Sequence, residues 1–441
     1  MSGVGCLPQR ADSDGGSTEE STNDAQASEQ TRSALRASKV PLRIWIVGRM
    51  EQSEILSRQW LSDSEQPIEV RIVAAEDLLS QQSVPADVLI YPSRLLGDLS
   101  HRQWIVKLPE SLKSGMAATG TDSAISLNGL PGLISATSYD GVQFGLSLGF
   151  SMLSLMGSQS AELEKMTYLQ LTERLSELSA GDTVLAQNGS IDFSSIAVDR
   201  EALVDRFLAI AFGLSPVNSK YGVLFEVRSM KSRIAKEEFR LAAELLKKLS
   251  SQRDGLLSVV GSHSEALRWV HDCPTECYAF VSASELDIQS QSADRPKWIQ
   301  WDQAKPWNSG AGMVVSITSQ CRQTAQSIRF LEWVSQPRTL SSLESHLPGV
   351  VSQTGVGGRL VDRVNQRNAA IFSDYNLSCE PRLPGVERYR SALADELLAI
   401  LDGRKTVDEG LQAAASAWDA ITGPGLPGLQ NEYEKSLGMT L

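Results

Sequence analysis

"LRIWIVG" at residues 42–48 is a short, nearly continuous apolar run that stops at a glycine. Such a run suits a strand buried on both faces of a parallel sheet. The next fifty residues repeat the theme. "SEILSRQWLSD" (53–63) carries Ile55, Leu56, Gln59 and Trp60 on adjoining turns of a helix. "IEVRIVA" (68–74) reads as a second strand, "AEDLLSQQ" as a short helix and "ADVLIYPS" (86–93) as a third strand. Strand–helix–strand–helix–strand at this spacing predicts an α/β fold with a parallel unit. Right-handed crossovers put helices on both faces of such a sheet. Its ligands sit beyond the carboxyl ends of the strands. That directs attention to Gly48-Arg49-Met50 after the first strand and to Tyr91-Pro92-Ser93-Arg94 after the third.

Further along, helical periodicity dominates. Residues 167–179, 200–214 and 235–252 read as amphipathic helices, the last with Phe239, Ala242, Ala243, Leu246 and Leu249 on its apolar side. Residues 277–284 and 310–318 read as strands, and 323–337 as a helix closed by Pro337. The polar stretch 285–309 between them reads as a loop holding Trp298, Trp301 and Trp307. The tail, "LDGRKTVDEGLQAAASAWDAIT" (401–422), is the most sharply specified helix of the chain. Thr406 and Glu409 stand three apart, as a capping box requires, and Leu411, Ala414, Ala415 and Trp418 form one stripe. A helix so specified is docked on something.

Composition narrows the function classes. A length of 441 residues with 41% apolar content supports more than one core. The formal charge is −12, with no basic stripe carrying interleaved aromatics, which argues against nucleic acid as a partner. No run of eighteen apolar residues is present to span a membrane. Residues 1–40 lack aromatics and are rich in Ser, Thr, Glu, Asp and Gln, so they read as a disordered linker. They open "MSGVGC", in which Cys6 after small residues and before an acidic spacer looks like the start of a mature bacterial lipoprotein. A plain tail reads equally well, because the apolar segment of a signal peptide is missing.

Little in the chain carries covalent chemistry. "GVGG" (355–358) and "GPGLPG" (423–428) lack the strand-to-helix setting and spacing of a phosphate loop. Nothing marks a Ser-His-Asp triad, and HExxH and EF-hand patterns are absent. Cys273 and Cys277 in "HDCPTEC" lack metal spacing; they read as buried thiols or as part of one disulfide among the last four cysteines. Glu237 and Glu238 read as a solvated helix face. Trp60, Trp269, Trp333 and Trp418 lie on helices and read as core. Trp298, Trp301 and Trp307 either cover a core or stack on an apolar ligand face such as a sugar ring.

In order, "RIWIVG", "ADVLIYPSRLLGDL" with "WIVKLP", "SYDGVQFGLSLGFSMLSLM" and "TYLQLTERLSEL" form an ordered set. It continues with "GAGMVVSITSQCRQTAQSIRFLEWVSQP" and "RYRSALADELLAILDGRKTVDEGLQAAASAWDAI". Together they resemble the extracellular solute-binding proteins of ABC importers, family 1, the sugar-binding type. The resemblance covers roughly residues 42–441 and rests on the order of the pieces, the tail being the strongest.

The resemblance implies a two-lobe, periplasmic-binding-protein-like (type II) α/β architecture with a cleft between lobes joined by hinge strands. It implies lobe 1 as 41–146 plus 310–349 and lobe 2 as 147–309 plus 350–441. Ligand-binding positions would be Arg49, Met50, Tyr91, Ser93 and Arg94 from lobe 1, and Ser147, Phe150 and Ser151 at the crossing. Lobe 2 would add Trp301, Trp307, Tyr389 and Arg390. It further implies a monomer outside the cytoplasm that binds a small polar solute, with carbohydrate as the family's class, and delivers it to permease subunits. No enzyme activity, cofactor or metal is implied. The chain departs from the family pattern where it lacks a Pro at the crossing, an aromatic after 276–282 and a Tyr near Met156. Those departures favour a rival reading, a two-lobe sensor or interaction protein with a degenerate cleft.

Overall fold

The computed structural model describes residues 40–48, 53–112, 131–149, 153–162, 165–181, 197–215, 223–252, 255–282, 296–301, 307–343, 346 and 378–437. Cys6, Arg49, Met50, Phe150 and Ser151 lie outside the described residues. The principal elements begin with β1 (Leu42–Val47), α1 (Ser53–Ser64), β2 (Ile68–Val73), β3 (Val88–Pro92), α2 (Leu96–His101) and β4 (Gly145–Ser147). Next come β5 (Leu153–Gly157), α3 (Tyr168–Gly181), α4 (Arg200–Leu214), α5 (Glu237–Ser250), α6 (His263–Asp272), β6 (Tyr278–Ser282) and β7 (Lys297–Trp301). The chain continues through β8 (Trp307–Asn308), β9 (Met313–Ile317), α7 (Thr324–Val334) and β10 (Ser378–Cys379). It ends in α8 (Val386–Leu401), α9 (Val407–Thr422) and α10 (Leu426–Ser436).

The first sheet has the order β2-β1-β3-β9-β4. β1 runs parallel to β2 and β3, as the apolar runs predict. β9 returns antiparallel, setting Val314 opposite Tyr91 on one side and Ser147 on the other. Alternate residues of β1 serve opposite faces. Leu42, Ile44 and Ile46 join Trp60, Phe330 and Trp333, while Trp45 and Val47 join Leu89, Tyr91 and Leu95. Burial on both faces is why β1 lacks the polar alternation of a half-exposed strand.

The second sheet runs from the two-residue strand Lys165–Met166 through β7 and β5 to β6. β6 splits its side chains in the same way: Tyr278 and Phe280 enter the large helical core, and Ala279 and Val281 pack under α6. Three sequence expectations change here. The stretch read as a tryptophan loop contains β7, whose Ile299 and Trp301 are buried while Lys297 is exposed. Positions 297, 299 and 301 share one face of the strand, which is exposed at Lys297 and buried from Ile299 on. The helix read as amphipathic over 200–214 is buried nearly all round, from Ala202 to Gly213, which a sheet beneath and helices above require. Glu238 is buried against Arg233 at 3.1 Å rather than solvated, while Glu237 is exposed.

The tail docks where its stripe predicts. Thr406 and Glu409 form the capping box, and Leu411, Ala414, Ala415 and Trp418 are buried. The Trp418 indole donates to the Tyr389 carbonyl at 2.9 Å, and its ring meets Tyr389 edge-on and lies tilted beside Phe225. The same C-terminal segment also reaches the first sheet's side. Tyr139 stands in a hairpin whose Asp140 and Gly141 both take positive φ, as a tight two-residue turn demands. Its hydroxyl donates to the Glu432 carboxylate at 2.6 Å. Gly97 of α2 is pressed on the chain before α8: a Cβ there would lie 1.7 Å from the Arg382 carbonyl oxygen. Asp98 accepts the Gly385 N–H at 3.0 Å.

Candidate ligand site at the junction of the two sheets

β3 delivers its carboxyl end to the place where the two sheets meet. Tyr91 is fully buried in the first core, its hydroxyl 2.9 Å from Ser316 Oγ, and burial pushes its phenol above the usual range. Beyond it the backbone turns toward the strand that returns from the second sheet. The Ser93 N–H donates to the Gly312 carbonyl at 2.9 Å and the Arg94 N–H to the Gly310 carbonyl at 3.0 Å. These bonds aim Arg94 across the junction. Its guanidinium is 2% exposed. Nε donates to Glu387 in the first turn of α8 at 2.7 Å, and Nη2 to Glu201 in the first turn of α4 at 2.8 Å.

A second buried arginine stands behind the first. Arg390 donates to Asp205 and to Glu380, both at 2.6 Å, and to the Glu201 carbonyl at 3.3 Å. The other Glu380 oxygen accepts the Gly310 N–H at 2.8 Å. Gly310 therefore joins both halves, accepting from Arg94 and donating to Glu380. It can do so only as glycine, because a Cβ would lie 2.3 Å from the Arg94 Cβ. Arg390 Nε is buried with no hydrogen-bond partner among the described residues.

The electrostatics follow from this geometry. Removing each charge from water costs several kcal/mol, offset here by mutual attraction and hydrogen bonds. Burial works against the charge on Arg94, yet the carboxylates of Glu201 and Glu387 raise its pKa. Burial likewise opposes Arg390, and Glu380 and Asp205 outweigh it. One guanidinium shared by two buried carboxylates leaves Asp205 under-compensated: burial pushes its pKa up to about 6 against the pull of Arg390. Asp98 is also raised, by burial, despite the Gly385 N–H.

Of the residues singled out from sequence, Ser93, Arg94 and Arg390 converge on this junction. Ser147 is buried one strand away, donating to the Gly149 carbonyl at 2.8 Å. Tyr91 faces the first core. Trp301 and Tyr389 belong to the second: Trp301 meets Phe280 edge-on at 5.4 Å, and Tyr389 packs on Phe225 and Trp418 with its hydroxyl 3.1 Å from Thr422. Trp307 lies in β8, which pairs in parallel with β10 just before Glu380.

Sequence reading missed the four carboxylates, Glu201, Asp205, Glu380 and Glu387. One signal was available: Glu201 and Asp205 are four apart on a largely apolar helix, so both share a face. Among the described residues no group of three or more His, Cys, Asp or Glu side chains could hold a metal ion. A separate cavity of about 310 Å³ opens beside the start of α8, lined by Gly385, Arg388, Tyr389, Ile421 and Leu429 among others.

No protein-family model matches the chain, and no curated protein does. Solved structures do. The maltose-bound MalE3 of T. maritima aligns with TM-score 0.60 at 12% identity, over 86% of this chain and 99% of that one. An ABC transporter solute-binding protein from Agrobacterium radiobacter K84, in complex with ribitol, aligns with TM-score 0.63 at 11% identity, over 87% and 98%. The cyclic alpha-maltosyl-1,6-maltose binding protein of Arthrobacter globiformis aligns with TM-score 0.55 at 14% identity, over 88% and 100%. The fold of this chain is therefore the two-lobe, periplasmic-binding-protein-like α/β fold that these solute-binding proteins share.

Proposed function

We propose that the chain is the extracellular binding component of an ABC importer and takes a small polar solute, of the carbohydrate or polyol class, between two closing lobes. The lobes are residues 41–146 plus 310–349 and 147–309 plus 350–441. The observation that carries this reading is the convergence of Ser93, Arg94 and Arg390 at the carboxyl end of β3, where open α/β sheets receive ligands. Arg390 Nε, a buried donor with no acceptor among the described residues, suits a solute hydroxyl. Likeness to proteins solved with maltose, with ribitol and as a cyclic maltosyl-maltose binder supports the solute class. Arg49, Met50, Phe150, Ser151, Ser147 and Trp307 are proposed as further contacts. Tyr91, Trp301 and Tyr389 would act by shaping the walls, since their rings fill the two cores. Lobe closure is hinge motion, with no bond made or broken. Permease subunits are the proposed partners, the chain acting as a monomer outside the cytoplasm with Cys6 as a lipid attachment point.

One observation favours a second reading. Arg94 is already engaged through Nε and Nη2 by Glu387 and Glu201, carboxylates of the same chain that occupy the junction themselves. On that reading the cleft is closed without solute, and the protein serves a membrane partner as a sensor or interaction module. Thermal unfolding against mono- and oligosaccharides, polyols and amino acids separates the two. A solute at about 100 times its Kd adds about 2.7 kcal/mol, a rise of roughly 2–4 °C per kcal/mol. A shift confined to one solute class, lost in Arg94→Ala, supports the importer reading. A flat response across the panel supports the second.

A further inference from the structure

The segment "CPTEC" joins the end of α6 to the start of β6, away from the junction and unused by the binding reading. Cys277 is 2% exposed in a small apolar cluster with Met156, Ala266, Leu267 and Val270, and Cys273 packs against the same cluster from its half-exposed position. The loop between them is pinned from Thr275 to Cys277. The Ser158 N–H donates to the Cys277 carbonyl at 3.0 Å, and the Cys277 N–H donates to Ser158 Oγ at 3.1 Å. Ser158 Oγ in turn donates to the Thr275 carbonyl at 2.8 Å. Glu276 is gripped by Arg174 at 3.0 Å and by the Tyr278 hydroxyl. A five-residue loop held over its second half loses little further freedom when its ends are joined.

We propose that Cys273 and Cys277 are a dithiol pair that closes to an intraloop disulfide when the protein meets a disulfide oxidant. The roles follow from exposure. Cys273 meets solvent and lies 3.6 Å from the Thr275 hydroxyl, a donor to its thiolate. It attacks the oxidant, one sulfur of the oxidant leaves as a thiolate, and a mixed disulfide forms at Cys273. Cys277 then gives its proton to solvent and attacks the Cys273 sulfur; the mixed bond breaks and the second oxidant thiolate leaves. The oxidant takes up two electrons and the two thiols lose two protons. Burial, with Cys273 alongside, pushes the Cys277 thiol above the usual range, so Cys277 resolves and does not initiate. Cys321, beside Ser327 and Thr324 in the first core, provides the internal control.

The test treats the full chain with oxidised glutathione, alkylates it without unfolding and then under denaturant, and maps the peptides by mass. No Lys or Arg lies between the two cysteines, so both report in one tryptic peptide. The expected result is that peptide two hydrogens lighter, refractory to alkylation until reduced, with Cys321 still alkylated under denaturant. The oxidised chain should also melt a few degrees above the reduced one, a difference lost in Cys273→Ser and retained in Cys321→Ser. A stable glutathione adduct on Cys273, two alkylated thiols after oxidation, or a bridge from either cysteine to Cys321 would each overturn the proposal.

Discussion

Asp205 and Arg206 are neighbours on α4 and face opposite worlds. Asp205 points to the junction, where it meets Arg390 within a set of charges drawn from both sides of the fold. Arg206 points into the second lobe, where its guanidinium donates to the carbonyls of Phe280, Val259, Gly261 and Ser262 at 2.7–3.2 Å. The first site balances charge with charge; the second cages a charge in backbone dipoles. Of the junction charges, Arg94 meets its partners Glu201 and Glu387 across the junction, and such pairs can part and hydrate, each ion regaining water as it loses its partner. Carbonyls fixed in a loop cannot follow a departing arginine. Burial pulls the Arg206 pKa down to about 10, opposed by Asp199, Asp205 and Glu265, so this cation is the more costly of the two. Arg206 therefore belongs to permanent architecture, as do the pairs of Arg390 with Asp205 and Glu380, which lie within the proposed second lobe. The pairs of Arg94 with Glu201 and Glu387 cross between the proposed lobes and form the contact that can open.

The largest effect should come from Arg206→Met. It orphans several buried carbonyls at about 1–3 kcal/mol each, for a loss on the order of 5 kcal/mol in urea unfolding. Arg206→Lys should recover little of it, because an ammonium cannot span the same acceptors. Rescue by Lys would show that charge, and not the fork of donors, is what the cage needs. Arg390→Met comes next. It leaves Asp205 and Glu380 facing each other buried and unpaired, at about 3–5 kcal/mol. Adding Asp205→Asn to that variant should return part of the loss, as a double-mutant cycle would read.

Asp205 itself sharpens the comparison through pH. Its folded pKa is about 6, above the ordinary 3.8. A raised carboxyl contributes stability that is fully present below the unfolded pKa and is lost as pH rises through the folded one. Wild type should therefore gain on Asp205→Asn as pH falls from about 7 to about 4.5, by up to roughly 2 kcal/mol. Asp87 behaves oppositely. Burial would raise it, but hydrogen bonds from the Arg43 side chain and from the Arg322 and Arg43 N–H groups outweigh that and hold it low. Its share cancels in the difference between the two proteins. A difference that stays flat with pH would mean that Arg390 fully compensates Asp205.

The same contrast explains what could be read in advance. β1 and β3 were legible because burial writes itself locally, in the runs "LRIWIVG" and "ADVLIYPS". β2, an edge strand with only Val73 buried, was legible from the apolar–polar alternation of "IEVRI". The tail was legible because Thr406, Glu409 and the Leu411–Trp418 stripe lie within one helix. β7 was not, because "KWIQW" (297–301) is short, lacks a clean polar–apolar alternation and sits among polar residues. The junction was half legible. Position after β3 pointed to Ser93 and Arg94, but the partners of Arg94 come from residues 107 and 293 positions away. No local pattern encodes that a carboxylate on α4 will meet an arginine just after β3, because the meeting is made by the packing of the two sheets.

Arg94→Met should have the smallest effect on stability and the most informative one on shape. Its partners are unequal: the Glu387 side chain is 15% exposed and that of Glu201 is 60% exposed. Glu201 loses little on release, since an exposed pair is worth about 0–1 kcal/mol. Glu387 still lies near Arg390, which feels its charge. A stability loss of about 1–2 kcal/mol is therefore expected. The shape should respond more, because the Arg94 side chain is the direct charged link from the end of β3 to α4 and α8. If it holds the two sheets together, small-angle X-ray scattering should show a larger radius of gyration for Arg94→Met than for wild type without solute. Arg206→Lys, whose cage lies within one lobe, should leave that radius unchanged wherever the protein remains folded. Equal radii for wild type and Arg94→Met would mean that the α2 backbone pressed on Arg382 and the Asp98–Gly385 contact hold the junction, and that the arginine follows the closed form without creating it.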